Sequence, residues 1–281
     1  MTPEQVAAKY PPQEPLSEAG TKYAAECLGR GAGLECVEAG YGPDPYQSLS
    51  IFPADRPDGR VLVFWHGGGW TSGYREWMHF NAPAFNAAGV TFVAPGYRLA
   101  PQHVFPTGYE DCMRAVAWVH RNVAAHGGDP ARIFVGGHSA GAHYAALLGA
   151  NREWTRRIEL PADVIRGVVA VSGTYRFGAD SGLSMRPRFL GPENAEAEQP
   201  ASPLHRLAPP LPPFLLFHGS EDFPHLSKQA AAFEAALRAA GGAVERVVMP
   251  GRNHFSAHYA CGEADGPMVP AALDFMGRHS A

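Results

Sequence analysis

The sequence predicts an α/β fold in which a mostly parallel central sheet carries helices on both faces. Apolar runs typical of strands alternate along the chain with longer stretches of helical periodicity, as in parallel sheets. Glycine and proline are frequent, with 32 and 26 residues, which suits tight turns between such elements. The 281 residues can bury one large core, so we expect a single domain over residues 1–281.

The strands are predicted from short apolar runs. Val61–His66 is almost entirely apolar and ends in glycines, as expected for a strand buried on both faces. The other predicted strands are Tyr46–Pro53, Val90–Pro95, Ile133–Gly137, Val168–Val171, Phe214–Phe217 and Val244–Met249. Helical spacing of apolar residues predicts helices at Glu76–Ala88, Tyr109–His126, Ala140–Ala150, about Leu226–Ala240 and Pro267–His279.

Two segments depart from this alternation. Residues 1–45 are rich in proline and glycine with a weak helical stretch, and we expect an arm laid over the domain. Residues 174–212 lie between strands and carry Arg176, Arg186 and Arg188. Because long loops within a compact domain are usually functional or mobile, we interpret this segment as a small lid or substrate-facing insertion, with surface decoration as the alternative.

Composition narrows the class of protein. The chain is 46% hydrophobic and 18% charged, and 23 basic against 27 acidic residues give a net charge of −4. Without a basic run, a nucleic-acid partner is not expected. Met1–Pro15 lacks the apolar core of a signal peptide, and no later stretch is long enough to span a membrane, so the expected location is cytoplasmic. Oligomeric state stays open, with a homodimer through the arm as one option.

The four cysteines show no metal-binding or redox spacing. None forms a C-x-x-C motif, and none stands beside a histidine in a zinc-like pattern; they are Cys27, Cys36, Cys112 and Cys261. Scattered buried thiols are therefore expected, with a disulfide between Cys27 and Cys36 as the alternative.

The segment Gly137–Gly141, with the sequence G-H-S-A-G, stands between a predicted strand and an alanine-rich predicted helix. This context is typical of a nucleophile elbow, a strained turn that lifts a serine hydroxyl above the sheet. The glycines flank Ser139 because a Cβ two residues to either side would clash with neighbouring elements. The N-terminus of the following helix can stabilise developing negative charge. Ser139 is therefore the predicted nucleophile.

A glycine run follows the predicted strand Val61–His66, in the sequence HGGGW at 66–70. Glycines let backbone N–H groups face an oxyanion without side chains in the way, whereas a flexible turn is the alternative interpretation. Each such donor is typically worth about 3–4 kcal/mol in the transition state. We assign the predicted oxyanion hole to the N–H groups of Gly68, Gly69 and Ala140.

A nucleophilic serine needs a base that accepts its proton and a carboxylate that orients the base. After such an elbow the chain order is serine, acid, histidine. Asp222 follows the predicted strand Phe214–Phe217, and His254 lies on the loop after Val244–Met249. Both positions fall at the carboxyl edge of the sheet, where Ser139 also lies. Asp222 and His254 are thus the predicted acid and base, and the neighbouring Glu221 is the less favoured acid.

Other residues near these motifs have competing interpretations. His258 forms H-x-x-x-H with His254, but without a glutamate after the first histidine or an obvious third ligand we predict no metal. The motif histidines His66, His138 and His218 are expected to orient loops. The expected substrate-binding residues are Trp70, His138 and Tyr74. Trp70, Tyr74 and Trp77 could form an aromatic wall or simply pack in the core.

These motifs together resemble a known family. HGGGW (66–70), GYRLAP (96–101), GDPARIFVGGHSAGAH (128–143), HGSED (218–222) and GRNHF (251–255) resemble the α/β-hydrolase esterases of the hormone-sensitive-lipase type. They also resemble the kynurenine formamidases (arylformamidases). The resemblance spans roughly residues 46–278 and implies an α/β-hydrolase fold, a triad of Ser139, Asp222 and His254, and no cofactor.

Within this group the sequence has features of both branches. The tryptophan after the glycine run and the A-G-A-H after the nucleophile resemble the formamidases, whereas Gly69 and the Y-R-L-A-P run resemble the esterases. The resemblance therefore implies a hydrolase of small acyl or aryl esters, with an N-formyl aryl amine as the alternative substrate. A ligand-binding protein on a hydrolase scaffold is a further alternative, disfavoured because all three triad residues are present.

Overall fold

The computed structural model describes residues 2–178, 181, 186–191 and 195–280. Its strands, numbered along the chain, are β1 (Val37–Gly40), β2 (Ser48–Phe52), β3 (Gly59–Trp65), β4 (Thr91–Pro95), β5 (Gly128–His138), β6 (Ile165–Val171), β7 (Phe214–Glu221) and β8 (Val244–Asn253). Within the described residues these strands form one sheet, in the order β1-β2-β4-β3-β5-β6-β7-β8.

The sheet is mostly parallel. Strands β1 and β2 pair antiparallel, as do β2 and β4, whereas every pairing from β4 through β3 to β8 is parallel. The parallel strands therefore end at one common edge, and the loops that leave this edge build the site. The predicted α/β fold class is confirmed.

The helices, also numbered along the chain, are α1 (Pro3–Ala7), α2 (Glu18–Arg30), α3 (Ala82–Asn86), α4 (Thr107–Asn122), α5 (Ala140–Ala150), α6 (Glu153–Arg157), α7 (Arg186–Leu190), α8 (Glu198–Ala201), α9 (Pro224–Ala239), α10 (His254–Tyr259) and α11 (Val269–Arg278). Short 3₁₀ helices lie at Arg75–Asn81, Val123–His126, Ala195–Ala197, Pro203–His205 and Ala260–Gly262. Across the described ranges, none of the helices has both the length and the apolar character that a bilayer crossing requires.

The core has two layers because alternate residues of a strand face opposite sides of the sheet. Strand β3 shows the alternation: Val61 and Val63 belong to one buried cluster, and Leu62 and Phe64 to the other. Residues of α4, α5 and α9 complete the first cluster, and residues of α2, α3, α10 and α11 complete the second. Helices thus cover both faces of the sheet, as predicted.

Several element boundaries differ from the predictions. The predicted helix Glu76–Ala88 is a 3₁₀ helix, Arg75–Asn81, followed by the short α3, which has a proline in its first turn. A proline ring restricts the residue before it and provides no N–H, so the helix restarts there. Strand β1 was not predicted; its residues are exposed or half-buried, and they lack an apolar run. The helix Ala140–Ala150 matches the prediction.

The N-terminal arm, residues 1–45, contains α1, α2 and β1, and its first part contacts the loop after the glycine run. The Gln13 side chain donates to the Gly73 carbonyl and accepts from the Gly73 N–H, both at 2.8 Å. The Tyr10 hydroxyl donates to the buried Glu76 carboxylate at 3.0 Å. These contacts hold the arm beside the segment that links β3 to α3.

The predicted insertion, residues 174–212, contains α7, α8 and two of the 3₁₀ helices. Residues 179–180, 182–185 and 192–194, which belong to the same predicted lid, lie outside the described residues, as does the side chain of Arg186. In the described part, Phe189 of α7 packs in the core against Trp70, with ring centroids 4.5 Å apart.

Helix α5 approaches strands β5 and β3 too closely for side chains at two positions. A Cβ on Gly137 would lie 2.4 Å from the backbone of Gly141, and a Cβ on Gly141 would lie 2.2 Å from the carbonyl oxygen of Trp65. Real Cβ atoms do not come this close to backbone, so both positions require glycine.

We therefore expect Gly141→Ala to lower the free energy of unfolding by about 1–3 kcal/mol, because the extra methyl group must displace the end of β3. Gly29→Ala, in the exposed face of α2, is the matched control. A Cβ there contacts nothing within 4 Å, so alanine should raise stability by about 0.5–1 kcal/mol through helix propensity. Urea unfolding measures both, and equal effects of the two substitutions would contradict the packing argument.

Candidate active site

Ser139 lies at the turn between β5 and α5, with a backbone φ of 54° and ψ of −115°. A positive φ is strained for a residue with a Cβ, and such strain is frequent at functional sites. Two hydrogen bonds fix the turn: the Ser139 N–H donates to Val171 O at 2.9 Å, and the His143 N–H donates to Ser139 O at 3.0 Å. Its hydroxyl Oγ lies 3.0 Å from Nε2 of His254.

His254 is the first residue of α10, whereas we predicted it on a loop. Asn253 caps this helix, because its side-chain oxygen accepts from the N–H groups of Phe255 and Ser256. The sequence analysis did not predict this helix start, although an asparagine before a helical segment is a usual N-cap signal. Nδ1 of His254 lies 2.9 Å from Oδ1 of Asp222, so the imidazole bridges Ser139 and Asp222.

Asp222 is buried and accepts three hydrogen bonds. Its Oδ1 accepts from His254 and, at 2.7 Å, from the N–H of Phe223, and its Oδ2 accepts from the Ser172 hydroxyl at 2.5 Å. Burial favours the neutral acid, but the hydrogen bonds and charge of His254, with Ser172 and Phe223, outweigh it and hold the pKa of Asp222 below its ordinary value. The carboxylate is therefore ionised at neutral pH, whereas Glu221 is exposed.

This geometry assigns the protons. An ionised Asp222 can only accept, so Nδ1 of His254 carries the hydrogen and Nε2 is free to accept from the hydroxyl of Ser139. The predicted nucleophile, base and orienting carboxylate thus lie within hydrogen-bond reach, which is the arrangement that nucleophilic acyl transfer needs. Sequence reasoning missed Ser172, which follows β6 and shows no motif.

The glycine run lies beside Ser139. Gly68 has a φ of 113°, and a Cβ there would lie 1.9 Å from the carbonyl oxygen of Ser72. The Gly68 carbonyl itself accepts from the N–H groups of Thr71 and Ser72, at 3.2 and 3.1 Å, which closes a tight turn. Gly69 also has a positive φ, of 61°. Gly68 and Gly69 line the same cleft as Ser139, and Ala140 begins helix α5.

Trp70 lines the cleft, and its indole N–H donates to Nδ1 of His143 at 3.1 Å. Nε2 of His143 donates to the carbonyl of Ala201 at 2.7 Å, so this histidine joins the glycine run to the 174–212 segment. Burial lowers the pKa of His143 to about 4 and keeps it neutral. His143 is a site residue whose role the sequence analysis missed, although it ends the nucleophile motif.

Tyr74, expected to bind substrate, does not line the cleft. Its ring lies against Tyr10 and Trp77, at centroid distances of 5.0 and 5.9 Å. Trp77 lines the cleft instead. Tyr74 precedes the 3₁₀ helix and has an extended backbone, with φ of −140° and ψ of 150°, whereas Trp77 lies within the helix.

The cleft above Ser139 has a volume of about 620 Å³. Its lining comes from the arm, the glycine run, α7, the start of α9 and the start of α10, and its aromatic members are Tyr23, Trp70, Trp77, Phe223 and Phe255. Glu14 of the arm and Arg188 of α7 also line it, and their side chains form an ion pair at 2.8 Å. A cleft that combines aromatic and apolar walls with polar side chains is typical of a small-molecule site.

His138 and His258 lie behind the triad. Nε2 of His138 lies 3.0 Å from the carbonyl of His254, and its Nδ1 lies 3.3 Å from the Tyr23 hydroxyl. The two ring nitrogens of His258 contact the Tyr23 hydroxyl, at 2.8 Å, and the Asn81 amide, at 3.2 Å. In the described part of the chain, no three metal-ligating side chains come together, and the four cysteines are free thiols.

Comparison with known proteins shows the family of the chain. A family model described as alpha/beta hydrolase fold matches residues 62–258. Esterase LipC of Mycobacterium tuberculosis is 34% identical over 76% of this chain and 58% of its own length. Isoprenylcysteine alpha-carbonyl methylesterase of Arabidopsis thaliana is 31% identical over 76% of this chain and 55% of its own. The chain thus spans little more than half the length of these relatives.

Two solved structures share the architecture. An esterase from Pyrobaculum calidifontis, at 22% identity, superposes with a TM-score of 0.75 and covers 92% of each chain. A thermophilic esterase from Thermogutta terrifontis, solved with butyrate bound, has 25% identity and a TM-score of 0.69 over 86% of this chain and 94% of its own. Both similarities support the fold described above.

Acid is expected to destabilise the protein through the buried histidines around the site. Burial lowers the pKa of His66 and His143 to about 4 and that of His258 to about 3, whereas an unfolded chain protonates histidine near pH 6.5. The stability from these neutral side chains is complete above about pH 6.5 and is lost as the pH falls towards their folded values. Each contributes a slope of up to about 1.4 kcal/mol per pH unit.

Urea unfolding at successive pH values between 7 and 5 measures this slope. His143→Gln removes one titrating group, so its free energy of unfolding should depend less steeply on pH than that of the wild type. A wild-type stability that stays constant between pH 6 and 5 would refute the expectation.

Proposed function

The chain belongs to the alpha/beta-hydrolase fold family, and from that membership we propose that it is a serine esterase acting on small carboxylic esters. The observation that carries the proposal is the continuous contact from Ser139 through His254 to Asp222, at 3.0 and 2.9 Å, beneath an apolar cleft. The reaction proceeds through an acyl-enzyme intermediate on Ser139.

Attack begins when Nε2 of His254 accepts the proton of Ser139 and Oγ forms a bond to the ester carbonyl carbon. The carbonyl π electrons move to oxygen, and the resulting oxyanion accepts from the N–H groups of Gly68, Gly69 and Ala140. Each of these donors stabilises the transition state by about 3–4 kcal/mol, because they are held in place before charge develops.

The intermediate collapses when the bond to the leaving oxygen breaks. Nε2–H of His254 donates its proton to that oxygen, and the ionised Asp222 stabilises the imidazolium while it exists. A water molecule then gives its proton to His254 and attacks the acyl carbon. Release of the carboxylic acid returns the proton to Ser139, so the cycle closes without a cofactor.

The cleft suits small substrates with an apolar or aromatic part. Its volume of about 620 Å³ falls within the range of small-molecule sites, and aromatic rings form much of its wall. Relatives named as esterases, and a related structure solved with butyrate, support short acyl groups as the substrate class.

An N-formyl aryl amine is the second candidate substrate. The two features that resemble the arylformamidases, Trp70 and His143, contact each other through the indole N–H, so they act as one structural unit beside the oxyanion donors. Formamide cleavage uses the same acyl transfer, with His254 protonating a leaving nitrogen instead of an oxygen.

Ser139→Ala is expected to abolish hydrolysis of a short p-nitrophenyl ester, with kcat falling by at least about 10⁴-fold, because no acyl-enzyme can form. The protein should stay folded, since the hydroxyl contacts His254 but supports no packing. Steady-state kinetics and circular dichroism measure the two effects. Full activity in this variant would exclude the proposed function.

The two adjacent carboxylates provide a matched control for the same mechanism. Asp222→Asn should lower kcat by about 10³–10⁴-fold, since a neutral amide no longer fixes the tautomer of His254. Glu221→Gln should leave kcat unchanged, because Glu221 is exposed and Asp222 already contacts the imidazole. A larger loss in the Glu221 variant would reassign the acid.

Side-by-side kcat/KM values on a short p-nitrophenyl ester and on N-formylkynurenine separate the two candidate substrates. We expect the ester to be favoured by at least about tenfold, since an amide is the less reactive acyl donor and the wall offers mainly apolar contacts. The Ser139→Ala protein corrects for spontaneous ester hydrolysis. A preference for the formamide would instead assign the protein as an arylformamidase.

A further inference from the structure

A line of buried side chains connects the N-terminal arm to the base of the proposed triad. It runs from Asn81 to His258, on to the hydroxyl of Tyr23, on to His138, and ends at the backbone carbonyl of His254. The contacts measure 3.2, 2.8, 3.3 and 3.0 Å in that order. Every residue in the line is buried.

The acceptor at the end of the line fixes the direction of every hydrogen bond. The His254 carbonyl can only accept, so Nε2 of His138 carries the hydrogen and Nδ1 of a neutral His138 must accept. Burial, with the nearby His254, lowers the pKa of His138 well below its ordinary value, so the ring is neutral. The Tyr23 hydroxyl therefore donates to His138.

The directions of the remaining hydrogen bonds follow from the donation of the Tyr23 hydroxyl to His138. Having used its hydrogen, the Tyr23 oxygen accepts from Nδ1–H of His258, and Nε2 of His258 then accepts from the Asn81 amide. Tyr23 is the central member, because it serves as acceptor towards His258 and donor towards His138. Without its hydroxyl, Nδ1 of His138 loses its donor, and the contact with the His254 carbonyl is the one that still orients the ring on this line.

We propose that Tyr23, a residue of the arm, is a positioning residue for the base of this hydrolase: through His138 it holds the backbone of His254 where the imidazole bridges Ser139 and Asp222. The inference rests on the proposed function. It assigns the arm a part in the chemistry, because α2 supplies the hydroxyl on which the line depends.

The ring and the hydroxyl of Tyr23 make separate contacts, so the proposed role can be distinguished from packing of the ring. The ring of Tyr23 lines the cleft and lies against Phe255, at a centroid distance of 4.9 Å, whereas the hydroxyl points at the two histidines behind the triad. Tyr23→Phe keeps the ring and removes only the hydroxyl. The variant thus leaves the apolar wall in place and breaks the line at its centre.

The effect of that break is expected in the chemical step. A small displacement of a catalytic group lowers the rate strongly, whereas substrate contacts stay the same. In Tyr23→Phe, kcat on the short p-nitrophenyl ester should fall by about tenfold with KM within about twofold of the wild type. Inactivation by a fluorophosphonate, which also needs proton transfer from Ser139 to His254, should slow by the same factor.

Tyr259→Phe is the matched control. Tyr259 belongs to α10 and lies against the ring of Tyr23 at 5.9 Å, but it is no member of the line or of the cleft lining. Its kcat should equal that of the wild type. A second background, His138→Gln, removes the imidazole through which Tyr23 acts on His254, so adding Tyr23→Phe there should change kcat by less than about twofold.

Each outcome decides the proposal. The proposal is overturned if Tyr23→Phe keeps the wild-type kcat or changes only KM. It is also overturned if Tyr259→Phe lowers kcat as much as Tyr23→Phe does, or if Tyr23→Phe still lowers kcat tenfold in the His138→Gln background. A Ser139→Ala protein that hydrolyses the ester would instead remove the proposed function itself. An inactive Ser139→Ala with an unaffected Tyr23→Phe would reject the role of Tyr23 alone.

Discussion

The close contact between strand β5 and helix α5 is the constraint on which the rest of the site depends. Because Gly137 and Gly141 allow backbone to approach backbone, the chain can turn sharply enough to hold Ser139 at a φ of 54°. That turn places the hydroxyl above the sheet edge and the first N–H of α5 beside it. A longer separation between strand and helix would move both together, away from the glycine run and from His254.

Among the three residues of the proposed triad, Asp222 carries the buried charge, and hydrogen bonds to its carboxylate stabilise that charge. The buried Asp222 accepts from His254, Ser172 and the Phe223 N–H, whereas the neighbouring His138 is held neutral by burial. A positive charge on His138 beside the imidazole would disfavour the imidazolium of the proposed acyl transfer. The surroundings therefore leave Asp222 as the ionised group beside the imidazole of His254.

The sequence predicted those parts of the site whose residues lie together in a motif. Ser139 and the glycines around it are separated by a few positions, and the helix Ala140–Ala150 follows from an apolar stretch after a defined turn. Asp222 and His254 could be placed because parallel strands end at one edge of the sheet. These predictions needed only local chemistry and the topology of a parallel sheet.

The missed residues act through contacts that no local pattern encodes. The Tyr23–His258 contact joins positions 235 residues apart, and Ser172 meets Asp222 across 50 residues. The expectation that Tyr74 binds substrate failed for a local reason. A run of aromatic residues shows which side chains are near the cleft but not which of them face it. The backbone there is extended at Tyr74 and turns into a 3₁₀ helix at Arg75, a change that helical periodicity did not predict.

The arm contacts both the cleft and the histidines behind the candidate triad. Glu14 forms an ion pair with Arg188 at the cleft, and Tyr23, nine residues later, contacts the histidines behind the triad. Both groups are attached to the domain by the same stretch of chain, which Gln13 fixes to Gly73 next to the glycine run. A change in how the arm docks would therefore alter the shape of the cleft and the support of His254 together. The composition of residues 1–45 indicated a covering segment, whereas its contacts make it part of the cleft wall and bring it against His138 and His258.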